Sequence, residues 1–163
     1  MFFAVQLAKH CGAHVTAVCG TTNVDLVRSL GADAIVDYTK QDFTRADAPY
    51  DVICDVLGKA GFPGSLHSLA PRGRYLLVGF SGGILAILAA LFRGAWTHLR
   101  ERAVFVAGPA RPVQADLEFL KALIEDRRLR AVIGRSYLLN DIVEAHRYAD
   151  SGHKVGNVVV VIP

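Results

Sequence analysis

The sequence predicts a doubly wound α/β fold, in which helices cover both faces of a mostly parallel sheet. Two observations favour this class: short runs that are apolar on both faces, and helical segments that alternate with them along the chain. Length and composition agree, because 163 residues that are 52% hydrophobic and 20% charged are enough for one buried core. The same values exclude a disordered tail and a pair of full-sized domains.

The first part of the chain repeats one pattern of helix, glycine and strand. The pattern predicts a helix over 2–11, a turn at Gly12 and a strand over 15–18, followed by a helix over 24–30, a turn at Gly31 and a strand over 34–36. Asn23 stands before the second helix as a candidate N-cap. Each glycine fits the left-handed position that ends a helix before a turn.

The remaining residues continue the alternation of strands and helices. Strands are predicted over 50–56, 74–78, 103–107, 130–136 and 157–162, and helices around 65–69 (ended by Pro71), over 116–124 and from 141 to about 150. Residues 75–92 carry no charge and lie at the lower limit for a membrane span. The glycines within that stretch favour a strand, a turn and an apolar helix over 84–92 instead.

The net charge and the cysteine content indicate which ligands and which cellular location to expect. The net charge of +3 is small and scattered, which gives no support for nucleic-acid binding. The cluster of Arg127, Arg128 and Arg130 follows a predicted helix and is expected to complement its dipole. Three cysteines form neither a closed disulfide framework nor a zinc motif, so a reducing cytoplasmic location and no metal are expected.

One element of the doubly wound pattern is missing from the sequence. The first predicted helix begins at residue 2, whereas such a helix normally follows a strand and a glycine-rich phosphate-binding turn. In the strand order 3-2-1-4-5-6 the missing strand is the central one. Residues 1–163 are therefore expected to be a single, partial nucleotide-binding domain that lacks its first strand and its glycine-rich turn.

A family resemblance rests on a series of motifs in a fixed order. The segments are Ala4–Lys9 with Gly12 and Ala13, then 15–19, 27–33, 36–38, 50–58, 71–73, 78–79, 145–147, 151–153 and 156–159. Together they resemble the Rossmann-like cofactor domain of medium-chain dehydrogenases/reductases, in the zinc-independent, quinone-oxidoreductase-like branch. The resemblance implies an NAD(P)H-dependent oxidoreductase that transfers hydride to a quinone, an enone or a similar carbonyl substrate. It also implies that the N-terminal catalytic domain is absent, so the isolated chain is expected to be inactive.

The candidate cofactor-binding residues follow the carboxyl ends of the predicted strands, where open α/β sheets bind ligands. They are Thr21, Thr22, Asn23, Tyr38, Leu57, Gly58, Gly79, Phe80, Ser81, Phe105, Val106 and Asn157. The absence of an acid at 20–23 favours NADP(H) over NAD(H), although Thr22 stands where the family usually has a basic residue. Each of these residues has a competing role as turn, cap or core residue.

Several alternatives stay open on the sequence. Asp55 is interpreted as structural, bonded to backbone or hydroxyl groups, and no catalytic side chain is assigned. A non-enzymatic, reductase-like module could instead dock on a partner or a membrane through 84–92. A methyltransferase of the same sheet class is weakened because its cofactor also requires an acid after the first predicted strand. A homodimer is left open.

Overall fold

A computed structural model of the chain describes residues 1–45, 48–58, 62–78, 103–107, 113–152 and 154–162. The helices are α1 (Phe2–His10), α2 (Val24–Ser29), α3 (Phe62–Ser65), α4 (Gln114–Glu125) and α5 (Ile142–Asp150). The strands are β1 (Thr16–Cys19), β2 (Ala34–Asp37), β3 (Tyr50–Asp55), β4 (Leu69–Leu77), β5 (Ala103–Ala107), β6 (Ile133–Leu138) and β7 (Asn157–Val161). None of these helices has the length and apolar character that crossing a bilayer requires.

The chain divides into two compact units. Unit 1 comprises Met1–Thr39 and Pro112–Pro163, and unit 2 comprises Lys40–Arg111. In unit 1, β1 pairs with β2 and β6 pairs with β7; in unit 2, the strand order is β3-β4-β5. Every one of these pairings is parallel. The predicted α/β class with parallel strands is therefore confirmed.

The sequence predicts one sheet, but the described strands do not form a single one. The described strands form three separate hydrogen-bonded sheets, and no ladder among them joins β1 to β3.

The glycine turns after α1 and α2 form as predicted. Gly12 has a φ of 78° and Gly31 a φ of 98°, both in the left-handed region. The amide after Gly12 donates to Ala8 and that of Gly12 itself to Lys9, which satisfies the last carbonyls of α1. These compact ends turn each helix directly into the next strand.

The end of α4 uses the same geometry with a residue that rarely adopts it. Arg127 has a φ of 59°, its amide donates to the Ile124 oxygen, and the Arg128 amide donates to the Leu123 oxygen at 2.8 Å. An L-residue with a Cβ is strained in this conformation, so the turn is less stable than its glycine equivalents. The predicted arginine cluster thus begins immediately beyond the carboxyl end of α4.

The core of unit 1 is held by buried side chains and by two polar contacts. Val5, Ala17, Cys19, Val27 and Leu30 form the buried cluster. Asp33 accepts hydrogen bonds from the Val15 amide at 2.7 Å and from Lys9 Nζ at 2.9 Å. The Val15 amide, and then Lys9, hold the pKa of Asp33 below its ordinary value. This contact fastens α1 to the start of β2.

The close parallel pairing of β6 and β7 leaves no room for a side chain at Gly134. A Cβ at Gly134 would lie 1.7 Å from the Val155 oxygen, and one at Gly156 would lie 2.6 Å from the Val132 oxygen. The register of the pair shifts between Ile133 and Arg135, so Gly134 is the irregular residue of the ladder. Two backbones can approach this closely only where a glycine stands.

Two predictions for unit 2 need correction. The helix expected around 65–69 is α3 followed by a short 3₁₀ turn over Leu66–Ser68, and Pro71 lies inside β4 instead of ending a helix. The register shift between Tyr50 and Val52 leaves Pro71 in an irregular part of the ladder, where its missing N–H is tolerated. The predicted helix over 84–92 lies outside the described residues.

The predicted burial of β3 on both faces also differs from the structure. Val52 is 50% exposed, and Cys54 is exposed as well. The described part of unit 2 contains no helix longer than the four residues of α3, so one face of β3 has no long helix against it there.

Candidate cofactor-binding site

The turn after β1 holds three of the predicted cofactor residues. Gly20 is extended, and Thr21–Asn23 form a single 3₁₀ turn that leads into α2. Thr21 and Thr22 are exposed. Asn23 occupies the N-cap position, but its side chain makes no capping hydrogen bond, which corrects the expected cap. The preceding turn gives Asn23 a φ of −105° and a ψ of −1°, outside the extended region that a capping side chain needs.

Asp37, which the sequence reasoning did not select, organises the hydroxyls of this turn. Thr21 Oγ1 donates to Asp37 Oδ2 at 2.6 Å. Thr39 donates to Asp37 Oδ1 through its amide at 3.0 Å and its hydroxyl at 2.7 Å. The two hydroxyl protons are thus directed at the carboxylate, so Thr21 has no proton left for a phosphate. An Asp at a strand end followed two residues later by Thr is a recognisable turn signature that could have indicated this contact.

Tyr38 lies directly against Gly20. Its amide donates to the Cys19 oxygen at 3.1 Å, which fixes its backbone beside the end of β1. A Cβ on Gly20 would lie 3.1 Å from the Tyr38 hydroxyl oxygen, so a larger residue at Gly20 would displace the ring. The ring is 66% exposed. The structure therefore brings the predicted residues Thr21 and Tyr38 together at the carboxyl ends of β1 and β2.

The electrostatics of this group permit a phosphate-bearing ligand. Asp37 is 9% exposed and its two oxygens accept the hydrogen bonds described above, so its charge is shielded from the surface. Burial, and then Asp37, raise the pKa of the Cys19 thiol, which keeps Cys19 neutral. Asn23 Oδ1 is buried and has no hydrogen-bond partner within the described part of the chain. The exposed residues Thr22 and Tyr38 carry hydroxyl groups that can donate hydrogen bonds to the ribose and phosphate oxygens of a dinucleotide, whereas the buried Asn23 oxygen is out of reach of such a ligand.

In unit 2, the predicted residues Leu57 and Gly58 form the turn after β3. Asp55 Oδ1 accepts hydrogen bonds from the Leu57 amide at 3.2 Å and the Gly58 amide at 2.8 Å. Tyr75 donates its hydroxyl to Asp55 Oδ2 at 2.7 Å. The interpretation of Asp55 as bonded to backbone and hydroxyl groups is confirmed. Tyr75 was not selected from the sequence.

The other predicted residues of unit 2 fall on β5 or outside the described ranges. The Phe105 ring stacks on Tyr75 with a centroid distance of 5.9 Å and packs against the buried cluster of this unit. Val106 is 45% exposed. Gly79, Phe80 and Ser81 lie outside the described residues. A cofactor role for Phe105 would therefore involve a ring that is already part of the core.

Asn157 belongs to a different sheet from the Thr21–Tyr38 group. It is the first residue of β7, pairs with Ile133, and is exposed. Its backbone amide donates a hydrogen bond to the Val132 oxygen at 2.7 Å, so this amide is already used and is not available to a ligand.

Comparison with protein-family models tests the resemblance to a dehydrogenase family. Residues 30–160 match the protein-family model described as zinc-binding dehydrogenase, which covers well over half of the chain. The chain belongs to the zinc-binding dehydrogenase family. This membership makes it an oxidoreductase-type domain with a Rossmann-like, medium-chain dehydrogenase/reductase fold.

Individual relatives agree with the family. A trans-enoyl reductase, pgmF, from Aspergillus terreus is 32% identical over 98% of this chain and 48% of its own length. The mitochondrial NAD(P)H oxidoreductase RTN4IP1 of Drosophila melanogaster is 28% identical over 96% of this chain and 41% of its own. The structure of the quinone oxidoreductase from Coxiella burnetii matches with a TM-score of 0.75 and 25% identity, over 97% of this chain and 48% of that one. The chain thus spans about half the length of these relatives.

Membership of a zinc-binding dehydrogenase family does not by itself assign a metal to this chain. Among the described residues, no group of three or more His, Cys, Asp or Glu side chains could hold a metal ion. The absence of a metal stays a prediction from the sequence.

Proposed function

We propose that residues 1–163 form the nucleotide-binding domain of an NAD(P)H-dependent oxidoreductase that transfers hydride to a quinone, an enone or a similar carbonyl compound. The observation that supports this most directly is the Gly20–Thr22 turn with Tyr38 against it, at the carboxyl ends of β1 and β2 in a zinc-binding dehydrogenase domain. Relatives named enoyl reductase and NAD(P)H oxidoreductase support the substrate and cofactor classes.

The chemistry of nicotinamide cofactors determines what the cofactor contributes and what the protein contributes. A bound nicotinamide dinucleotide supplies the hydride, and the protein contributes binding and orientation. In unit 1 the Thr22 and Tyr38 hydroxyls would hold the phosphorylated end of the cofactor. For unit 2, backbone contact with the cofactor at Leu57 and Gly58 stays a prediction from the sequence. We assign no catalytic side chain, and we expect the isolated chain to be inactive toward carbonyl substrates. A cytoplasmic location and a homodimer remain predictions from the sequence.

NADP(H) is the proposed cofactor. The turn at 20–23 carries no acid that would repel a 2′-phosphate, and the Asp37 carboxylate is occupied by Thr21 and Thr39. Replacing Thr22 with Arg would place a basic residue where members of the family that this chain resembles usually have one. We expect Thr22→Arg to lower the Kd for NADPH about tenfold, because a guanidinium pairs well with phosphate, and to leave the Kd for NADH unchanged. Ala115→Arg, an exposed substitution of equal charge on α4, is the matched control.

Fluorescence titration of the purified chain with NADPH and NADH tests the proposal. We expect saturable binding of NADPH by the purified chain. Binding of NADPH tighter than that of NADH supports the assignment. A chain that is folded by circular dichroism and binds neither dinucleotide at millimolar concentration would refute it.

A further inference from the structure

Three polar side chains are buried together where β3 ends. Tyr75 is 1% exposed, Ser65 is 0% exposed and Asp55 is 7% exposed. Buried acids and phenols require partners, because an unpaired polar group in a protein interior is strongly destabilising. These three supply partners to one another.

One oxygen of the Asp55 carboxylate accepts a hydrogen bond from β4, and the other accepts hydrogen bonds from the turn after β3. Oδ2 accepts the Tyr75 hydroxyl at 2.7 Å. Oδ1 accepts the Gly58 amide at 2.8 Å and the Leu57 amide at 3.2 Å. The Tyr75 phenol therefore fixes the rotation of the carboxylate, and the carboxylate fixes two successive amides of the turn.

The parallel register explains how Asp55 and Tyr75 meet. Ile53 pairs with Tyr75 and Asp55 pairs with Leu77, which places Asp55 and Tyr75 diagonally on the same side of the β3–β4 ladder. Burial, and then the hydrogen bond to Asp55, raise the pKa of Tyr75, whereas a hydrogen bond from Ser65 lowers it. The raised pKa keeps the Tyr75 hydroxyl protonated, and therefore a hydrogen-bond donor, at neutral pH.

The turn that these contacts hold has little packing of its own. Leu57 is 61% exposed and Gly58 adopts a φ of 67°. A turn of this kind, with an exposed side chain and a left-handed glycine, has many accessible conformations unless hydrogen bonds select one.

We infer that Asp55 and Tyr75 are positioning residues that hold the Leu57–Gly58 turn in the conformation that binds the dinucleotide. The inference rests on the proposed function for its ligand, but the effect on the turn does not depend on it. A merely structural pair would change the stability of unit 2 as a whole. A positioning pair changes the order of the turn and the affinity for the dinucleotide while the β4–β5 ladder remains intact.

Tyr75→Phe tests this inference in the full chain, because it removes the hydroxyl and keeps the ring that stacks on Phe105. We expect amide exchange at Leu57 and Gly58 to become about tenfold faster and the Kd for NADPH to rise about tenfold, with exchange in the β4–β5 ladder unchanged. Tyr50→Phe removes a hydroxyl from the first residue of β3 and is the matched control. It is expected to leave the exchange of these amides and the Kd as in the wild type.

Asp55→Asn and Asp55→Ala provide a graded second test. Asparagine retains an oxygen for the two amides without the charge, so its Kd for NADPH should lie between those of the wild type and Asp55→Ala. Wild-type exchange at Gly58 in Tyr75→Phe would overturn the inference, as would faster exchange with an unchanged Kd. If the wild-type chain binds no NADPH, the proposed function fails, and Gly58 exchange alone then decides whether the pair orders the turn.

Discussion

Replacing Gln6 with Met measures how strongly one buried amide fastens the first helix. Gln6 is 8% exposed, and its side chain exchanges two hydrogen bonds with the backbone of Arg130: Nε2 donates to the oxygen at 3.0 Å, and Oε1 accepts from the amide at 2.8 Å. Methionine has a similar length and volume, so the packing is retained and the hydrogen bonds are lost. Nε2 also donates to the Phe2 oxygen at 3.2 Å, and this third bond is lost as well. At about 1 kcal/mol for each of the two bonds to Arg130 and less for the longer one, we expect the free energy of unfolding to fall by at least about 2 kcal/mol.

Urea and thermal unfolding followed by circular dichroism measure this loss. A decrease of about 2 kcal/mol corresponds to a decrease in Tm of about 4–8 °C for a chain of this size. Gln114→Met is the matched control, because Gln114 is exposed and, among the described residues, its side chain bonds to Glu118 of the same helix. The control should change stability by less than about 0.5 kcal/mol. Equal losses for the two variants would refute the reasoning.

Gln6→Glu tests the hydrogen bonds to Arg130 separately from the packing of the side chain, because glutamate has nearly the same size as glutamine. A protonated carboxyl group can donate to the Arg130 oxygen and accept from its amide, whereas a carboxylate can only accept. The proton is therefore bound more tightly in the folded state, and the pKa of the introduced acid is raised. The stability of the variant relative to the wild type should be highest below about pH 4 and should fall as the pH rises through the raised value. A difference that does not depend on pH would contradict this account.

Three further predictions concern the backbone and the surface. Gly134→Ala should destabilise the protein by about 3 kcal/mol or more in urea unfolding, because the new Cβ overlaps a backbone oxygen, whereas Gly64→Ala, which meets nothing within 4 Å, should not. Arg127→Gly should raise the free energy of unfolding by up to about 1 kcal/mol by relieving a left-handed arginine; an unchanged value would exclude strain there. Because the pKa of Asp33 is lowered on folding, its contribution is present above about pH 4 and is lost as the pH falls further. Asp33→Asn should remove that part of the acid dependence of Tm.

The local elements were predictable from sequence because their signals are local. Gly12 and Gly31 each end a helix in the left-handed conformation that the pattern of helix, glycine and strand required. Arg127 adopts the same conformation at the end of α4, and no sequence rule would place an arginine there. Pro71 misled the prediction because a proline ends helices in general, whereas here it lies in an irregular part of a strand.

The contacts of the candidate site were predictable only in part. The positions of Thr21 and Tyr38 followed from the rule that ligands bind beyond the carboxyl ends of parallel strands. The partner of Thr21 is Asp37, sixteen residues along the chain, and the partner of Asp55 is Tyr75, twenty residues along. Both pairs join residues of two different strand ends, so they depend on which strands are neighbours, and the local patterns used for the prediction do not give that pairing.

The buried phenol beside Asp55 also gives the protein an internal optical signal. A tyrosine whose hydroxyl donates a hydrogen bond to a carboxylate absorbs at longer wavelength than one in water. Tyr75 is 1% exposed, so its hydroxyl is kept from water and the difference is retained. Subtracting the near-ultraviolet spectrum of Tyr75→Phe from that of the wild type isolates this band. A ligand that moves the loop beyond β3 must also disturb the carboxylate, and the band would then shift without any label having been attached.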